Sequence, residues 1–175
     1  MSTIIAGKYR GRKLHNKNLR NVRPTQARVK KSIFQILEPI EDKKVLDLYS
    51  GTGSIGLEFL SRGAKHVRMV EKSRAMVNTI NLNINKIHNK KNFDIICKDV
   101  TKFLNSKLNH SKYDIIFADP PYNSIDYYDL KKKINFQLNE NGVFCMEMYK
   151  TNIGDENCDI RVYGKTQIVI WKKIL

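Results

Sequence analysis

The chain has 175 residues, 41% of them apolar, and 32 Lys and Arg against 17 Asp and Glu give a formal net charge of +15. One domain with one core fits this length, no apolar run is long enough to span a membrane, and Met1-Ser2-Thr3-Ile4-Ile5-Ala6-Gly7-Lys8 holds no secretory core, so a cytoplasmic protein is expected. Cys97, Cys145 and Cys158 are odd in number and far apart, and His15, His66, His88 and His110 show no ligand spacing, which argues against a disulfide framework and against a metal site.

The basic charge is uneven. Residues 1–31 carry ten Lys and Arg and no acid, whereas the other 144 carry 22 against 17. An A/T-rich genome would raise Lys and the Asn count of 17, but it would not concentrate basic residues at one end, so a polyanionic partner is expected there. Ile4-Ile5, Tyr9 and Leu14 fit a small hairpin turned at Gly11, with a solvated basic tail as the alternative. Pro24-Thr25 opens a helix with Thr25 as N-cap. Val29, Ile33, Phe34, Ile36 and Leu37 recur at helical spacing until Pro39, and Arg28, Lys30 and Lys31 fall off that stripe and are expected in water. Residues 1–43 thus read as a basic extension, hairpin plus helix, packed on the core of a single domain spanning 1–175.

From Lys44 short apolar runs alternate with amphipathic stretches. Strands are expected at Val45–Tyr49, Val67–Glu71, Phe93–Cys97, Tyr113–Ala118 and Val143–Met148, and helices at Ser54–Leu60, Arg74–His88, Val100–Leu108 and Ile125–Ile134. Near-continuous apolar strands alternating with helices imply a parallel sheet covered on both faces. Ile160–Tyr163 and Gln167–Trp171, around Gly164, are too close for a parallel crossover and must run antiparallel. This ending disfavours an all-parallel dinucleotide-binding fold.

The first strand runs into Ser50-Gly51-Thr52-Gly53-Ser54-Ile55-Gly56, and Glu71 ends the second where an acid would bind ribose hydroxyls. Glycines let the backbone turn and approach a ligand closely, but they do not separate a nicotinamide dinucleotide from an adenosyl cofactor. Asp47 favours the second. A carboxylate four residues before Gly51 repels a pyrophosphate yet accepts from the ammonium of S-adenosylmethionine. Asp99, just after the third strand, fits an acceptor for an adenine amine, a helix N-cap, or both.

Asp119-Pro120-Pro121-Tyr122 is the most specific signal in the chain. Asp119 and Pro120 each precede a proline, so both are held extended in a stiff arch. The lone pair of a base amine is delocalised into its ring, so methylating it needs positioning more than a strong base. The Asp119 carboxylate and Pro120 carbonyl can accept the two N–H groups and stabilise positive charge on nitrogen. Tyr122 can stack on a flipped base.

The whole pattern resembles the RsmD family, which methylates N2 of a guanine in 16S rRNA. The resemblance rests on Ile4-Ile5-Ala6-Gly7 with Gly11-Arg12-Lys13-Leu14, on Arg23-Pro24-Thr25 with Arg28-Val29 and Phe34, and on Val45-Leu46-Asp47-Leu48 with Gly51-Thr52-Gly53. It continues in Ser61-Arg62-Gly63-Ala64, Val70-Glu71-Lys72, Asp119-Pro120-Pro121-Tyr122 and Tyr163-Gly164. Tyr49-Ser50 departs from the more usual Phe-Ala. The resemblance implies an α/β class I methyltransferase sandwich of Rossmann-like kind, with seven mostly parallel strands and the last antiparallel. It implies S-adenosylmethionine as cofactor, held by Asp47, Gly51, Thr52, Gly53, Glu71, Lys72, Asp99, Val100 and Asp119. It places Asp119 and Tyr122 at the target base. Pro120 is expected in catalysis beside them, and Arg10, Arg12, Lys13, Arg23, Thr25, Arg28, Pro121 and Tyr122 on RNA, with the cofactor pocket and a helix cap as the alternatives for Arg23 and Thr25. The expected partner is 16S rRNA or the assembled small subunit, met by a monomer in the cytoplasm. Adenine-N6 methylation, a catalytically silent RNA-binding assembly factor and a nicotinamide oxidoreductase are the competing readings.

Overall fold

A computed structural model describes residues 2–16, 27–87, 91–106, 111–121, 126–155 and 157–173. After helix α1 (Ala27–Leu37) the chain alternates through β1 (Lys44–Leu48), α2 (Ser54–Ser61), β2 (His66–Glu71), α3 (Arg74–Ile87), β3 (Phe93–Cys97), α4 (Val100–Leu104) and β4 (Tyr113–Ala118). It continues through α5 (Tyr127–Asn135), β5 (Leu138–Tyr149), β6 (Asp159–Tyr163) and β7 (Thr166–Lys172). The seven strands form one sheet in the order β3-β2-β1-β4-β5-β7-β6. β3, β2, β1, β4 and β5 are mutually parallel, and β7 pairs antiparallel with both β5 and β6.

The apolar runs are continuous because both faces are covered. Val45, Val67, Met69, Ile115, Phe117 and Cys145 pack under α1, α2 and α3, while their neighbours Leu46, Leu48, Val70, Ile116, Ala118 and Met146 pack over α4 and α5. Phe34 of α1 meets Phe59 of α2 edge-on, ring centroids 4.7 Å apart. Both are fully buried, and each such side chain stabilises by about 1.5–3 kcal/mol.

Residues 2–14 fold as the hairpin, not as a solvated tail. Thr3 bridges Lys13 antiparallel, Ile4 N donates to Arg12 O (3.1 Å) and Leu14 N to Ser2 O (2.9 Å), and Ile4, Tyr9 and Leu14 are buried. This hairpin lies along α2. Gly7, at φ 79°, sits so close to the end of α2 that a Cβ would fall 1.9 Å from Ser61 O. Lys8 N donates to that same carbonyl (2.7 Å).

Lys30 is not in water, contrary to the helical pattern. It is 2% exposed and its Nζ lies 3.0 Å from Glu58 Oε2. Glu58, with no exposed surface, also accepts from Ile5 N (2.8 Å), Ala6 N (2.9 Å) and Arg62 Nε (3.1 Å). Periodicity assigns the side of α1 away from its apolar stripe to solvent; here the hairpin and α2 cover it and supply the counter-charge. The expected thiols Cys97, Cys145 and Cys158 are exposed, buried and half-buried in turn, none in a disulfide.

Other boundaries also differ. β5 begins at Leu138, five residues early, and its register with β4 shifts between Tyr113 and Ile115. The polar Asn139-Glu140-Asn141 insertion hides that start from an apolar pattern. α4 stops at Leu104, four residues before the expected end. α5 starts at Tyr127 because Asp126 caps it, accepting from Tyr128 N (2.9 Å). The N-cap expected at Thr25 lies outside the described residues, where the first part of α1's expected range also falls.

Candidate active site

β1 pairs in parallel with β2 on one side and β4 on the other. The chain leaves β1 toward β2 and β3, then crosses back to β4. Connections therefore diverge at the carboxyl ends of β1 and β4, which is where open α/β sheets bind ligands. The candidate acids collect at this edge: Asp47 is the penultimate residue of β1, Glu71 ends β2, Asp99 follows β3 and Asp119 follows β4.

Asp47 is 1% exposed. Its Oδ2 accepts from Gly56 N at 3.1 Å. Burial, above all, pushes its carboxyl up to about 7, a rise opposed by hydrogen bonds from Ser50 and Gly56 and reinforced by the nearby charge of Glu71. Gly56 is required for this contact: a Cβ there would meet Met69 Sδ at 2.6 Å and Asp47 Oδ2 at 3.0 Å. A buried carboxylate next to a second one has the chemistry to hold a cationic group.

Glu71 braces the glycine loop. Its Oε2 accepts from Gly51 N (2.9 Å) and its Oε1 from Ser73 N (2.8 Å). A carboxylate offers about four acceptor positions, so this bracing is compatible with further hydroxyl donors. Between Asp47 and the loop, Tyr49 takes φ 59°, a conformation unusual for a bulky side chain and concentrated at functional turns. Its hydroxyl is pushed up to about 12 by burial and by the charge of Asp99. Asp99 caps α4, accepting from Lys102 N at 3.2 Å, while Val100 is buried and Lys72 is exposed.

The final register pair of β1 and β4 is Leu48 with Ala118, so the turn at Tyr49-Ser50 and the arch at Asp119 leave the sheet side by side. Asp119 is half-buried, Pro120 buried and Pro121 exposed. Tyr122, Arg23 and Thr25 lie outside the described residues.

Arg10, Arg12, Lys13 and Arg28 are exposed. The hairpin tip lies against the C-terminal ends of α2 and α3: Tyr9 N donates to Ser61 Oγ (3.0 Å) and Arg12 Nη1 to Lys86 O. Sequence reasoning missed two residues that tie this region together. Glu58 holds the hairpin backbone, and Asn83 reaches from α3 to the glycine loop. Glu58 is a charged residue inside the apolar run Ile55–Leu60, which is a signal for a buried partner; Asn83 carries none. Among the described residues no group of three or more metal-ligating side chains gathers, and no helix is long and apolar enough to cross a membrane.

The chain matches the family described as conserved hypothetical protein 95 over residues 2–172. It is 37% identical over 121 residues to ribosomal RNA small subunit methyltransferase D of Haemophilus influenzae, covering 68% of this chain and 63% of that protein. To the protein of the same name from Buchnera aphidicola it is 35% identical over 138 residues, 78% of this chain and 70% of the relative. The chain thus spans somewhat under or over two thirds of these relatives. The solved structure of yhhF from Escherichia coli superposes with a TM-score of 0.85 at 26% identity, covering 98% of this chain and 97% of that one. The architecture is accordingly the class I methyltransferase sandwich, with its last strand antiparallel. On a match that runs through the hairpin, the glycine loop, the proline arch and β7 alike, the chain belongs to the conserved hypothetical protein 95 family, the RsmD family that its motifs resemble.

Proposed function

We propose that the chain transfers a methyl group from S-adenosylmethionine to the exocyclic N2 amine of a guanine in 16S rRNA. The observation that carries this reading is the stiff Asp119-Pro120-Pro121 arch, which leaves β4 beside the glycine turn of β1 at the switch point of the sheet. The proteins named ribosomal RNA small subunit methyltransferase D support the substrate class.

S-adenosylmethionine supplies an activated methyl on a sulfonium. Asp47 would hold its ammonium, Glu71 its ribose hydroxyls, and the Gly51-Thr52-Gly53 backbone would pass close along it. Asp99 and Val100 would border the adenine, with Lys72 at the rim. Asp119 and the Pro120 carbonyl would each accept one N–H of the target amine, which aims the nitrogen lone pair at the methyl. The Asp119 carboxylate would stabilise the positive charge that methylation places on the nitrogen and would carry the surplus proton to solvent. Tyr122, following Pro121, would stack on the extruded base. Arg10, Arg12, Lys13, Arg23, Thr25 and Arg28 would contact RNA, on a monomer working in the cytoplasm.

The test is to incubate the protein with labelled S-adenosylmethionine and undermethylated small ribosomal subunits, digest the rRNA and identify the nucleoside. Label in N2-methylguanosine is the expected result. Label in N6-methyladenosine would keep the chemistry and discard the base, and no label despite cofactor binding would favour the silent binder.

A further inference from the structure

We infer that Asn83 is a positioning residue that links the basic hairpin to the cofactor loop, so that binding of RNA and binding of cofactor strengthen each other. Asn83 has no exposed surface, although it lies on α3 between exposed Leu82 and helix positions that pack inward. Its Oδ1 accepts from His15 N (2.6 Å), and its Nδ2 donates to His15 O (3.2 Å) and to Thr52 O (3.0 Å). One carboxamide therefore reads both backbone groups of His15, as a neighbouring strand would, and spends its remaining N–H on the glycine loop. All its donors and its acceptor are used.

The two ends of this link are unlike. Thr52 stands between Gly51 and Gly53 in a loop whose own bonds are few: Gly53 N donates to Ser50 O (2.8 Å) and Gly51 N to Glu71. Fixing the Thr52 carbonyl fixes the plane of the Thr52–Gly53 peptide, whose N–H closes the loop onto Ser50 O. His15 stands two residues after Lys13, at the end of the hairpin that carries Arg10 and Arg12. Lys86, one turn further along α3, grips the same stretch: its carbonyl accepts from Arg12 and its Nζ reaches Lys13 O (3.5 Å). A second polar link runs parallel, since Lys30 Nζ donates to Thr3 O (3.3 Å) and to Ser54 Oγ (3.2 Å), the latter at the start of α2. Phosphates that order the hairpin therefore order the peptide under the cofactor, and the converse holds by reciprocity.

This inference rests on the proposed cofactor site. The test measures the Kd of S-adenosylhomocysteine with and without saturating undermethylated small ribosomal subunits, in the unaltered protein and in Asn83→Leu. That substitution keeps the volume and removes every polar atom; Asn83→Asp, which keeps the acceptor for His15 N and loses the amide donors, serves if the first fails to fold. The expected result is about a fivefold or greater tightening by subunits in the unaltered protein and a ratio near one in the variants. The same ratio must appear in the Kd of the subunits with and without S-adenosylhomocysteine, whereas a merely structural role for Asn83 would weaken both affinities and leave the ratio of the unaltered protein in place. Variants that keep the full ratio overturn the inference. So does a ratio of one in the unaltered protein, while leaving the cofactor site standing. No binding of S-adenosylhomocysteine at all would overturn the cofactor site itself and the link with it.

Discussion

Replacing Glu58 with Ala tests how the hairpin is held. Glu58 has no exposed surface and answers four donors: Lys30 Nζ, Ile5 N, Ala6 N and Arg62 Nε. Its removal leaves Lys30, 2% exposed, with Thr3 O and Ser54 Oγ as its hydrogen-bond partners among the described residues. Breaking a buried pair by deleting one partner costs about 3–5 kcal/mol. Lys30 can limit that penalty, because burial already holds its ammonium below the usual lysine range and Glu58 is what pulls it back up. Without Glu58 it can shed its proton. The expected loss is about 4 kcal/mol at neutral pH, or roughly 8–16 °C in Tm for a chain of this size. Lys30→Met should cost less, about 1–2 kcal/mol, because Glu58 keeps its other three donors. Urea denaturation of both variants measures the two losses, and limited proteolysis of the Glu58 variant reports release of the hairpin. Equal losses, or a loss below about 1 kcal/mol of the kind seen for surface pairs, would refute the assignment of Glu58 as the hub.

Because the Asp47 carboxyl stands near 7, an ammonium ligand must displace its proton at lower pH. Affinity for S-adenosylmethionine should climb by up to about tenfold per pH unit toward pH 7 and level off above it; calorimetry across pH checks this, and Asp47→Asn should flatten the profile. In the unliganded protein the sign is opposite: this raised acid loses stability as pH rises from the carboxylate range to about 7, then no further. Asp119→Ala should lower methyl transfer by about 10²–10³ while subunit binding persists, and loss of binding in parallel would argue against a role at the reacting amine. Gly56→Ala should cost about 1–3 kcal/mol by overpacking Met69 and Asp47, read by denaturation. Replacing Arg10, Arg12 and Lys13 together should reduce the salt slope of RNA binding by roughly 0.7–0.9 for each phosphate no longer neutralised, with Arg12 contributing least because it is already engaged by Lys86 O; an unchanged slope would remove the hairpin from the interface.

The strands were readable because burial on both faces writes itself as an unbroken apolar run, as in Val45-Leu46 and Ile115-Ile116-Phe117. The acids at their ends were readable because each sits at a strand-to-helix junction. Lys30 was not, since whether a charge off the apolar stripe meets water or Glu58 depends on a residue in the next helix, beyond the reach of any local pattern. Asn83 is one of four asparagines in α3, with Asn78, Asn81 and Asn85, and only the packing of the hairpin against that helix singles it out. The start of β5 escaped for a similar reason: Asn139-Glu140-Asn141 pairs with nothing apolar and is carried into the strand by its neighbours.

The order β5-β7-β6 has a consequence for synthesis. β7 follows β6 in the chain yet lies between it and β5, so β6 has no partner until residues 166–172 have been made. A nascent chain halted after Tyr163 would hold a free edge along Val143–Tyr149, the stretch that β7 normally pairs, and would be prone to self-association there. Completion of the sheet is therefore tied to arrival of the strand that is translated after the one it separates from β5, and losing β7 alone would bare the edge of β5 and leave β6 without its partner in the sheet.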